Sequence, residues 1–130
     1  MCCYDASFAA GLVEAVTQAV AFGKPMALIA YDQPYPEPLH SVRPLLASFA
    51  TALVLTPQAT LRAFAALGLE FLAGEAQATR MSDPALEELR LGAPAARALP
   101  LLQALTRAAA GNVEMDFLAD RRLRVAVSPC

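Results

Sequence analysis

Tryptophan is absent from this 130-residue sequence, and charged residues make up only 17% of it. Neither shortage signals disorder, because 57% of the residues are hydrophobic and a chain so apolar collapses instead of staying solvated. Long apolar runs are missing as well. No window approaches the ~18 consecutive uncharged apolar residues of a transmembrane helix, and the N-terminus has no basic stretch followed by an apolar run. Neither a membrane span nor a signal peptide is therefore expected. Basic charge is not in excess: the net charge is −2, and residues 59–130 interleave eight arginines with eight acids. No face reads as a phosphate-binding patch, which argues against a nucleic-acid partner. Cysteine is sparse and odd in number, with Cys2 and Cys3 adjacent and Cys130 far away. That spacing matches neither a disulfide framework nor a zinc site, so no metal or other cofactor is indicated and a reducing cytoplasm is the expected compartment.

What is present suits a single domain, 1–130, large enough to bury a real core. So little charge on so small a chain also predicts that some apolar surface meets another chain.

Residues 7–22, SFAAGLVEAVTQAVAF, read as a helix with Asp5 or Ser7 as its cap and Gly23 and Pro25 as its stop. Its polar stripe (Glu14, Thr17, Gln18, Ala21) is narrow, which predicts a largely buried helix. Ala9, Ala10 and Gly11 let another backbone approach closely. MALIAY, 26–31, is continuously apolar, the pattern of a strand covered on both faces in a parallel sheet. Helix 7–22 then becomes the second half of a β-α-β unit whose first strand lies before residue 1. ATALVLTP, 50–57, reads as another strand. Residues 61–70 alternate as its hairpin partner, although their alanines also allow a helix. Ser82-Asp83-Pro84 opens a helix over 84–90, a second helix spans about 94–109, and the tail is a β-hairpin. In that hairpin Glu114 and Asp116 stand ready to pair with Arg122 and Arg124.

The segments DASFAAGLVEA, ALIAYDQPYPEPLHSVRPL and FATALVLTP together resemble the β-ketoacyl synthase-like N-terminal domain of chain-length-factor-type proteins, including those of aryl polyene pathways. The resemblance covers most of the chain, and Tyr-Asp-x-Pro-Tyr-Pro-Glu-Pro is its most specific part. It implies an α/β, partial thiolase-like fold: a layered sheet with a buried helix, ending in a β-hairpin. Relatives carry several elements ahead of the SFAAGL helix, so the sequence looks like the C-terminal portion of a truncated domain. The implied role is that of a noncatalytic subunit that pairs with an active ketosynthase and helps shape its acyl tunnel. An acyl carrier protein is a possible second partner, which Arg121, Arg122 and Arg124 could meet.

A ketosynthase nucleophile sits at the N-terminus of a buried helix, where free N–H groups favour a thiolate and stabilise an oxyanion. Aligning Gly11 with the family's helix glycine puts Cys3 on that position. Two small apolar residues at a strand end are the plainer account of Cys2 and Cys3. The condensing histidines of ketosynthases come from a C-terminal half, and this sequence has one histidine. A Cys3-dependent β-ketoacyl synthase or acyltransferase is thus the alternative, and a stand-alone α/β binding module is the third reading. His40, in a loop, reads as an incidental surface residue or an acid–base group. Asp32 ends a strand, where ligands gather in open α/β sheets, and otherwise accepts N–H bonds in the following turn. Tyr31, Tyr35 and the prolines form a stiff amphipathic surface suited to docking.

Overall fold

The computed structural model describes residues 3–74 and 76–130, so the expectation for Cys2 lies outside the described residues. Residues 7–22 form helix α1 (Ser7–Phe22), ended by Gly23 in the left-handed conformation at φ 63°, which glycine adopts without a Cβ clash. Neither expected cap serves α1. A 3-10 turn, Tyr4–Ala6, runs straight into the helix, and the Ser7 N–H is taken by the Tyr4 carbonyl. One side of α1 is buried through Phe8, Ala9, Leu12, Ala15 and Ala19, whereas Val20 and Phe22 are exposed. The small-residue stretch works as its composition suggests. A Cβ on Gly11 would stand 3.0 Å from the Leu28 side chain, so the missing methyl is what lets β1 (Met26–Asp32) lie close.

After β1 come α2 (Leu39–Val42), β2 (Phe49–Leu55), β3 (Ala65–Ala73) and α3 (Pro84–Gly92). Then follow a 3-10 turn (Pro94–Ala98), α4 (Leu99–Thr106), β4 (Gly111–Leu118) and β5 (Arg121–Pro129). The result is a mixed α/β fold with two small antiparallel sheets, one ordered β1-β2 and the other β3-β5-β4.

Three expectations are corrected. First, β1 is not parallel and not covered on both faces: it pairs antiparallel with β2, and exposure alternates along both strands. Second, residues 65–73 are a strand but not the partner of β2. They pair with β5, from Ala65 opposite Pro129 to Ala73 opposite Arg121. Third, the helix expected over 94–109 is two pieces. Pro94 and Pro100 each sit in a first turn, where a missing N–H does least harm, and the backbone changes from 3-10 to α between them.

The terminal hairpin forms as expected, with Glu114 opposite Arg124 and Asp116 opposite Arg122. Both pairs close, at 2.9 Å and 3.2 Å. Asp83 caps α3, accepting from the Ala85 and Leu86 N–H groups at 2.8 and 3.1 Å. The core joins the inward sides of both sheets to α1 and α4 through Phe8, Leu12, Leu101, Leu123 and Val125. Among the described residues no helix is long and apolar enough to cross a membrane.

Candidate functional site

The expected site residues fall in two neighbouring places. Cys3, half-buried, precedes the 3-10 turn, and α1 does not begin until Ser7. Three backbone donors around Cys3 have acceptors. The Cys3 N–H donates to Ser7 Oγ (2.9 Å), the Ala6 N–H to the Cys3 carbonyl (3.0 Å), and the Ser7 N–H to the Tyr4 carbonyl. Ser7 Oγ in turn donates to the Tyr4 carbonyl at 2.7 Å. Those three N–H groups are therefore not free for an oxyanion.

Tyr4 adopts φ +51°, an unfavourable left-handed conformation for a side chain of its size. Arg43 holds the region from outside. Its guanidinium lies 5.0 Å from the Tyr4 ring centroid and pairs with Asp5 at 3.1 Å. Because Arg43 closes α2, which carries His40, this contact ties the His40 segment to the Cys3 turn. His40 is half-buried in α2, not in an open loop, and its Nδ1 is buried without a partner among the described residues. No hydrogen bond links its ring to Cys3 among the described residues, so no nucleophile–base pair is assembled there. The described residues also contain no cluster of metal-ligating side chains.

Asp32 has a defined task, although not in its own turn. Its carboxylate accepts the N–H of Ala95, 63 residues away, in the first turn of the Pro94–Ala98 helix. The end of β1 is thereby fixed to the segment leading into α4. Ala95 is 5% exposed, so Asp32→Ala strands a buried donor and is expected to cost about 1–3 kcal/mol. Chemical denaturation would show this as a lower midpoint, with Asp32→Asn intermediate.

The proline segment leaves β1 and turns into α2, where Glu37 accepts hydrogen bonds from the Ser41 N–H and hydroxyl. Tyr35 is exposed on it. Tyr31 belongs to a larger feature, the outward face of the β1-β2 sheet. There Ala27 stands opposite Val54, Ile29 opposite Ala52 and Tyr31 opposite Ala50. All six are exposed, Ile29, Tyr31 and Val54 to 67%, 75% and 73%, and none is charged. Each strand also has an edge with no strand partner among the described residues. Tyr31 was legible as a docking residue, but Ile29 and Val54 were not. An uninterrupted apolar run hides which parity faces solvent, and only the pairing register separates the two faces. Comparison with protein-family models, curated proteins and solved structures gives no match to this chain.

Proposed function

We propose that this chain is a noncatalytic, ketosynthase-like subunit of the chain-length-factor type, acting in fatty acid, polyene or polyketide assembly. It would dock on an active ketosynthase through the outward face of β1-β2, within a larger thiolase-like layered architecture and in the cytoplasm. The observation that carries the reading is that face itself: three large apolar side chains, each more than two-thirds exposed, in a charge-free field of alanines. Contiguous exposed apolar surface of this kind marks an interaction site in a soluble protein. Tyr35 and the proline segment lie at the end of the same strand and would extend the contact. An acyl carrier protein enters the proposal as a secondary partner. Catalysis through Cys3 is not favoured, since the Ala6 and Ser7 N–H groups are occupied and no base is hydrogen-bonded to it among the described residues.

The test is co-purification of the chain with a ketosynthase. Ile29→Asp is expected to weaken the complex at least about tenfold, because it loses a buried aliphatic side chain and gains a desolvated charge. The exposed position should keep the change in folding stability to about 1 kcal/mol, the span of strand propensity. Undiminished co-purification of this variant sinks the docking face. A wild-type chain that forms no complex and stays a folded monomer supports the stand-alone binding module instead.

A further inference from the structure

On another part of the surface, Ala73, Gly74 and residues of the 76–80 stretch, the end of α3, the Pro94–Ala98 turn and the β4-β5 turn line an open groove of about 750 Å³. Its charged lining consists of Arg80, Arg90, Arg97, Arg122, Asp116 and Asp120. This volume lies in the range of small-molecule sites, roughly 300–1,000 Å³. A separate cavity behind it, about 10 Å³ and also lined by Arg90 and Arg97, is too small for any ligand group.

The four arginines are not equivalent. Arg90 is buried and held at two points by Glu87, its Nε and Nη2 donating at 2.8 and 2.7 Å. Arg122 forms part of the wall: its Nε reaches Asp116 at 3.2 Å and the Ala76 carbonyl at 3.0 Å, and its Nη1 reaches two further carbonyls. Arg97 is different. Its side chain is 16% exposed, yet its closest carboxylate oxygens, on Asp116 and Asp5, stand 3.6 and 3.7 Å away. Those are ion-pair distances, too long for hydrogen bonds. Its Nε is buried with no acceptor among the described residues. A guanidinium has five N–H donors, and groups withdrawn from water ordinarily have acceptors. Arg80 is exposed at the rim, with no ion pair among the described residues.

We infer that this groove binds a small aliphatic carboxylate, with Arg97 as its anchor and Arg80 at its entrance. Charge favours a monoanion. Glu87 neutralises Arg90, Asp116 is shared between Arg97 and Arg122, Asp5 between Arg97 and Arg43, and Asp120 offsets part of the rest. A carboxylate presents two coplanar oxygens to the flat guanidinium fork, the pairing that geometry favours. Leu91 and Ala119 line the groove as well and give an aliphatic tail somewhere apolar to lie. The inference does not depend on docking to a ketosynthase.

Hexanoate is a suitable probe, titrated into the folded chain and followed by calorimetry and by backbone amide shifts, with hexanol and inorganic phosphate in parallel. Saturable binding near about 1 mM is expected for hexanoate, with amide shifts around Arg97 and Arg80 and no saturation by hexanol. Arg97→Gln should weaken hexanoate binding at least about tenfold and Arg80→Gln several-fold, as expected on losing a charge-assisted contact. Failure of hexanoate to saturate, or equal affinity in Arg97→Gln, overturns the site. Tighter binding of phosphate than of hexanoate overturns the carboxylate assignment. If Arg97→Gln does not fold, the exposed Arg80→Gln decides, and unchanged affinity there overturns the proposal.

Discussion

Phe8→Ala is expected to remove about 3–5 kcal/mol of folding stability. Phe8 is 1% exposed and sits where α1 meets the shared core of both sheets. Its helix has little else to hold it in place. Ala6, at the N-cap, makes no side-chain hydrogen bond, and the first turn contains no acidic residue. Without capping or dipole support, a helix of this length depends on the packing of its apolar side. A domain of this size has about 5–15 kcal/mol of stability in all, so the variant should be close to unfolding at room temperature. Urea denaturation would report a large drop in midpoint at nearly constant slope. A drop worth less than about 1 kcal/mol would mean that α1 is not packed between the core residues described above.

Glu87→Ala is the second large effect. Arg90, only 5% exposed, has its guanidinium held by Glu87 at two points, and the same carboxylate accepts the Met81 N–H at 2.8 Å. Removing the acid leaves a buried cation and a backbone donor without acceptors, at a cost of about 3 kcal/mol. Glu87→Gln keeps one carbonyl oxygen and should lose less. The pair also sets an acid limit on the fold. Hydrogen bonding from Arg90 brings the Glu87 carboxyl from 4.5 down to about 2, with burial opposing the change and the Met81 N–H assisting it. A carboxyl with a lowered folded-state pKa stabilises fully above its unfolded value and loses that contribution as it protonates in the folded state. Stability should therefore decline as pH falls from about 4.5 toward about 2, and Glu87→Gln should flatten that part of the profile. An unchanged acid profile in the Gln variant would show that another group governs it.

Local structure was readable from the residues wherever short-range chemistry decides it. The Asp83-Pro84 start of α3 is one case, Gly23 at the end of α1 another, and the alternation of acids and arginines in β4 and β5 a third. Pairing between distant strands was not readable. β3 has a strand's pattern, but nothing in that pattern distinguishes β2, nine residues before it, from β5 as partner. The run MALIAY suggested burial on both sides because its two faces are equally apolar, while the fold covers only one. Of the expected site residues, Tyr31 and Tyr35 are exposed as docking residues need to be, and Asp32 proves to join two distant segments. Arg97 carried no sequence signal: it lies among alanines, and its isolation from acceptors appears only when β4 and the Cys3 turn are brought beside it.

The order β3-β5-β4 also governs how the domain emerges during synthesis. β5 lies between two strands that both precede it in the chain, so neither can complete its ladder until residues 121–129 have left the ribosome. Until then β3, with its apolar Leu67, Leu69 and Phe71, waits some fifty residues for its only strand partner among the described residues. Pairings so far apart in sequence form slowly, and an unpaired apolar strand recruits other chains. Nascent chains halted before β5 are the ones that should need a chaperone most.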